Sequence, residues 1–307
     1  MPEFDWISRY FAPLATPRGA AGLTDDVAGL SQRASVVTVD ALVEGVHFLP
    51  DDPIDTVARK LVRVNVSDLI AKGARPDEAV LTLGWPKARG EAEIASFAAA
   101  LGDELALWGA SLVGGDTVSH GGVLFASLTL TGRLPEAGRI VRRSGGRSGD
   151  LLWISGTIGR GGQGLADALA GLVSAARTDY RIPPLPPLEL ADLIQAVAGA
   201  SMDVSDGLIG DLEKLALASG CRAHLRLDDV PLASGIDQEN IDQCLTACTA
   251  GDDYQCLFAT PPEQTQAIKA FIPACWPIGS LLEGAGLELT FRGKPVNLPD
   301  RRGFAHQ

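Results

Sequence analysis

A chain of 307 residues is long enough for two domains of ordinary size, each with a core of its own. Hydrophobic residues make up 46% and charged residues 21%, which excludes a disordered chain. The formal net charge of −12 argues against nonspecific nucleic-acid binding and against an anionic membrane face.

In chain order, the acid-bearing, amphipathic N-terminus predicts a helix over 3–14, unlike a signal or transit peptide, and then a Gly-rich turn into Thr24-Asp25-Asp26. A strand over 35–42 precedes a long amphipathic helix over 54–73 and a strand over 78–85. An alanine-rich helix spans 91–108, followed by a strand over 110–115, a loop from Asp116 to Gly122 and a strand over 123–132. The Arg- and Gly-rich stretch 138–150 has no regular period, and the domain boundary is placed there, giving domains 1–140 and 141–307. The second half restarts with a buried strand, LLWIS, a Gly-rich loop and a helix. After a proline-punctuated run come a helix over 188–198, the segment SMDVSDGL, a helix to 219, a strand over 222–227 and further alternating elements. The pattern predicts an α/β protein, with α+β-type sheets and helix layers in two domains. No run approaches the length of a membrane-spanning helix, so the expected location is cytoplasmic.

The five cysteines, Cys221, Cys244, Cys248, Cys256 and Cys275, form no CxxC and are odd in number, which fits reduced, buried small hydrophobes. No G-x-x-x-x-G-K-[ST] occurs, so a P-loop is excluded. Gly159 to Gly164 fits G-x-G-x-x-G, but no acidic residue closes a clean strand some 20 residues later, and a tight strand-to-helix turn is the expectation.

The more specific signal is a set of aspartates: Asp25-Asp26, Asp40, Asp68, Asp116, Asp203 and Asp206. Any one alone is at home as a helix N-cap or turn residue, Asp206 above all because it opens a helix. Together, with few lysines near them in sequence, they would repel one another unless they shared cations. Magnesium takes hard oxygen ligands, through a few carboxylates plus waters and phosphates, so the pattern predicts a shared magnesium–phosphate site.

The blocks TDDVAG, TVDALVEGVHF, RVNVSDLIAKGARP, LVGGDTVSHG, RSGGRSGD, MDVSDGLIGDL and AGDDYQ stand in this order along the chain. In order and spacing the chain resembles the thiamine-monophosphate kinases, a family of the aminoimidazole-ribonucleotide-synthetase-like superfamily, from EFDWISRYF to RRGF. The resemblance implies an N-terminal domain carrying the nucleotide platform and a homodimer interface, and a C-terminal α/β domain closing the cleft. It implies ATP-dependent phosphorylation of thiamine monophosphate, with several Mg2+ ions. Carried over by motif, Asp26, Thr38, Val39 (through its carbonyl), Asp40, Asp68, Asp116, Asp203 and Asp206 would be metal ligands. Gly115, Asp116, Arg143 and Ser205 would contact ATP, and His47, Asp252 and Phe304 the thiamine substrate. Asp206 and Arg143 would serve the transfer itself. Apart from the family, His47 reads as a satisfied structural histidine, Phe304 as a tether for the tail and Trp108 as core, while Arg143, which as a bland residue would be a solvated arginine, reads better as a planar fork facing phosphates. Three departures stand out: Thr24 precedes the aspartate pair where glycine is usual, Lys72 replaces a methionine, and Asp252 replaces a glutamate. Selenophosphate synthetase would want an early reactive cysteine, and the hydrogenase-maturation dehydratase a C-terminal one. The first cysteine here is Cys221 and the chain ends Ala305-His306-Gln307, so both are disfavoured. A purine-pathway synthetase and a noncatalytic nucleotide- or thiamine-binding protein remain the alternatives.

Overall fold

The computed structural model describes residues 28–29, 35–271 and 275–304. The predicted helix over 3–14, the Thr24-Asp25-Asp26 turn and with it Asp26 lie outside the described residues. The first sheet has five strands: β1 (Ala28–Gly29), β2 (Ser35–Val43), β3 (Arg75–Pro86), β4 (Ser111–His120) and β5 (Phe125–Arg133), in the order β1-β2-β5-β3-β4. Helices α1 (Ile54–Ala71) and α2 (Glu91–Leu107) lie on one face of it. Strands β2 and β5 alternate: Val36, Thr38 and Leu42, with Ala126, Leu128 and Leu130, face the helices and are buried, while Val37, Val39, Ala41, Ser127 and Thr129 are not.

The strand expected to end at 115 runs on to His120, so Asp116 sits in β4, paired with Thr82 of β3, and not in a loop. Gly115, the last residue of the expected strand, lets the two backbones draw close. A Cβ on Gly115 would lie 2.4 Å from the Leu81 carbonyl oxygen.

The second sheet has seven strands: β6 (Leu151–Ile154), β7 (Ala200–Val204), β8 (Arg222–Arg226), β9 (Gln255–Thr260), β10 (Trp276–Leu282), β11 (Gly286–Phe291) and β12 (Lys294–Val296), in the order β12-β11-β8-β10-β6-β9-β7. Among the described residues of this sheet, only β8 and β11 pair in parallel. Its helices are α3 (Arg160–Leu169), α4 (Ala175–Arg181), α5 (Glu189–Val197), α6 (Leu208–Ser219), α7 (Ile241–Ala250) and α8 (Thr265–Phe271). Residues of α6 and of strands β6 to β11 form one apolar cluster; α1, α2, α5 and the first sheet share another with Trp153 and Phe258 of the second.

Helix α1 is therefore wedged between the two sheets and is buried nearly all round, its polar residues Lys60, Asn65, Ser67 and Asp68 included. Such groups need partners inside the protein, and each finds one on a sheet, a flanking loop or the helix itself.

Candidate active site

Toward the first sheet, Asn65 Oδ1 accepts from the Asp40 amide at 3.1 Å, and its Nδ2 donates to the Leu61 carbonyl at 2.9 Å. The Thr38 hydroxyl donates to Asp68 Oδ2 in a short hydrogen bond. Toward the second sheet, Ser67 Oγ donates to Asp203 Oδ2 at 2.9 Å. On a helix Asn65 and Ser67 point about 160° apart with Asp68 between them, so that one turn reaches the Asp40 backbone on the first sheet and the Asp203 carboxylate on the second.

These carboxylates feel one another. Burial, and then repulsion from Asp206, pushes Asp40 up to about 7. Burial and then Asp211 push Asp203 up to about 7, with Asp40 adding to the rise and Arg143 opposing it. Asp68 is raised well above the usual range by burial, then by Asp203 and Asp40. Asp40, Asp68, Asp203 and Asp206 thus share one region with Thr38 and Arg143. Among the described residues, no three histidine, cysteine or carboxylate side chains close around a point as a ready-made metal centre. Buried, mutually repelling oxygen donors do fit a cation such as magnesium, which takes part of its shell from water and phosphate.

The remaining predicted residues divide. Asp206 is held by Lys214 in a short ion pair, and its amide and that of Gly207 donate to Asp211 Oδ2 at 3.0 and 3.2 Å. It is Asp211 that occupies the start of α6, because it sits one turn inside with its carboxylate pointing back. The Ser205 carbonyl accepts from the Asp252 amide at 2.9 Å, and Phe304 donates its amide to the Asp206 carbonyl at 2.8 Å, so the last described segment docks on the same loop. His47 Nδ1 accepts from the Val43 amide at 3.1 Å in the turn after β2. Asp252, at φ 61°, accepts from Lys60 Nζ and from the Tyr254 hydroxyl, both at 2.9 Å.

Asp116 and Gly115 stand apart. Cross-strand register runs Asp40–Leu128–Leu81–Gly115 in one row and Ala41–Ser127–Thr82–Asp116 in the next. Asp116 lies three strand spacings from β2, about 14 Å, and on the opposite face from Asp40. Within one chain it does not join the cluster. Val39 shares that outer face, its side chain 59% exposed.

The lysines reverse one expectation. Few lie near the aspartates in sequence, yet Lys60 and Lys214 pair with Asp252 and Asp206. Lys72, fully buried, donates to the Ser201 carbonyl at 2.6 Å and lowers Asp68 by its charge. This accounts for Lys72: an ammonium at the end of α1 reaches β7 and offsets the charge of Asp68, which a methionine would leave less balanced.

The glycine-rich segment Gly159–Gly164, which caps and opens α3, holds no place for a dinucleotide. The buried Asp253 carboxylate already takes the Gly159 amide at 2.9 Å and the Gly161 amide at 3.2 Å. A Cβ on Gly164 would lie 2.0 Å from the Ala176 carbonyl oxygen, so packing explains the glycine. All five cysteines are free and buried. Trp108 donates Nε1 to the buried Glu104 at 2.9 Å.

Residues 24–134 match the AIR synthase related protein, N-terminal domain, and residues 147–292 its C-terminal domain. The thiamine-monophosphate kinase of Caulobacter vibrioides is 39% identical over 322 residues, covering 99% of this chain and 90% of the relative. That of Haemophilus influenzae is 33% identical and covers 100% and 98%. Among solved structures, AaThiL complexed with AMPPCP and TMP superposes with a TM-score of 0.86 at 28% identity, covering 100% of this chain and 97% of that one.

Proposed function

The chain belongs to the AIR synthase related family as one of its thiamine-monophosphate kinases, and we infer that it transfers the terminal phosphoryl group of ATP onto the phosphate of thiamine monophosphate. The observation that carries this reading is the meeting of Asp40, Asp68 and Asp203, with Arg143 beside them, from segments far apart in the chain. It is joined by full-length similarity to named kinases and to a complex with an ATP analogue.

The acceptor is already a phosphate with a second pKa near 6, largely dianionic at pH 7, so no strong general base is required. The difficulty is bringing two anions into line, and catalysis is then positioning plus charge neutralisation. We assign Asp40, Asp68 and Asp203 to hold Mg2+, with the hydroxyls of Thr38 and Ser67 fixing the last two carboxylates; Val39 would add its carbonyl, and Asp206 a further ligand. Bound there, the ions would neutralise the phosphates and orient them. Arg143, Gly115 and Ser205 are assigned to ATP, and His47, Asp252 and Phe304 to the thiamine end.

We further propose a homodimer working in the cytoplasm. On the outer face of the first sheet Val39 and Val80 lie in one cross-strand row, 59% and 43% exposed, and Val118 on the same face is 55% exposed. A second copy covering that face would remove these groups from water. It would also offer a route for Asp116 to serve a site on the other copy, since it cannot reach the cluster of its own chain. No helix among the described residues is long and apolar enough to cross a membrane.

The test is direct: ATP, Mg2+ and thiamine monophosphate with the purified protein should yield thiamine diphosphate and ADP in equal amounts. ATP binding without product would favour a noncatalytic binding protein, and turnover only on another acceptor a different member of the superfamily.

A further inference from the structure

Lys60 is 2% exposed and lies in the middle of α1. A buried ammonium persists only where its donors are met, and here three elements meet it. Nζ donates to Asp252 Oδ2 at 2.9 Å and to the His47 carbonyl at 3.1 Å, and stands 4.2 Å from the ring centroid of the buried Tyr180. These partners belong to the turn after β2, the loop before β9 and helix α4. One cation therefore joins the N-terminal half of the fold to two segments of the C-terminal half. The second Asp252 oxygen accepts from Tyr254, and the carboxylate keeps 32% of its side-chain surface open. Asp252 also holds a left-handed backbone, φ 61°, which a non-glycine residue keeps only where its surroundings fix it.

We infer that Lys60 is a positioning residue for the thiamine substrate. It sets the carboxylate of Asp252 and the backbone of the His47 turn in fixed register, and its ammonium contacts include none of the groups assigned to ATP. Asp252 is one methylene shorter than the glutamate usual in the family, and its carboxylate stands where the Lys60 ammonium reaches it. The inference rests on the assignment of Asp252 and His47 to the substrate.

Steady-state kinetics on the full chain, varying each substrate separately, test it. Lys60→Met keeps the stem and removes the charge. It is expected to raise KM for thiamine monophosphate about tenfold or more, while KM for ATP moves less than about twofold. Asp252→Asn should raise the same constant, and the double variant should be no worse than the worse single, because the two side chains act as one unit. An unchanged KM for thiamine monophosphate, equal rises for both substrates, or additive losses in the double variant would overturn the inference. If circular dichroism finds Lys60→Met unfolded, Lys60→Arg takes its place; its planar fork cannot aim donors at the same three partners. A selective rise of about threefold is then expected, and no rise overturns the proposal. Normal kinetics in Asp252→Asn would sink the assignment of Asp252 and this inference with it. Absence of thiamine diphosphate from the unsubstituted protein would instead end the kinase reading.

Discussion

Asp68 shows what a single side chain contributes. It is buried beside Asp203 and Asp40, and the Thr38 hydroxyl sets its rotamer. Asp68→Asn keeps the shape and removes one repelling charge. Turnover should fall by at least about 100-fold while the thermal midpoint of the metal-free protein holds or rises; retention of the rate in a product assay would contradict the role given to Asp68. Burial of the carboxylates, with repulsion between them added, makes metal-free stability depend on pH. Asp40 and Asp203 rise from 3.8 to about 7 on folding, so the folded state prefers them protonated. Their contribution is whole below about pH 4 and is lost as pH climbs through 7. Melting of the EDTA-treated protein is therefore expected at a lower temperature at pH 8 than at pH 5.5, with Mg2+ closing the gap. A midpoint that rises with pH without metal would show that the cluster is not under strain. At this scale the sequence was legible for residue type and blind to partners. The segments holding Lys60 and Asp252, 192 positions apart, give no local sign of meeting.

At the scale of elements, α1 and the loop before α3 make the clearest case. The helix was legible from its apolar period, yet its length of buried polar residues makes sense only when both sheets press on it. The G-x-G-x-x-G loop was legible as a turn, and the structure adds the reason: Asp253 fills the amide cradle that a phosphate would need. Asp253→Asn would set an amide NH2 against backbone N–H donors. It should cost about 2–4 kcal/mol in denaturant unfolding, and a loss below 0.5 kcal/mol, on the order of a surface change, would mean that the carboxylate is dispensable. Strand β4 was the element misjudged. It was expected to end at Gly115, whereas the missing Cβ there admits the Leu81 carbonyl and pairing continues to His120.

For the whole molecule, the outer face of the first sheet carries the decisive expectation. Val80→Asp places a charge on the face proposed to meet a second copy. Light scattering should give about one chain mass for the variant and about two for the unsubstituted protein, with activity lost alongside; a variant that stays dimeric would remove this face from consideration. The sequence alone determined the two-part α/β order, the lack of a P-loop and the identity of the acidic motifs, because each is written in local period or in short blocks. Only the tertiary structure decided which acids meet. Strand parity sends Asp116 to the face opposite Asp40, and the wedge of α1 between two sheets brings Asp68 to Asp203. Both outcomes depend on long-range pairing and packing, for which neighbouring residues carry no signal.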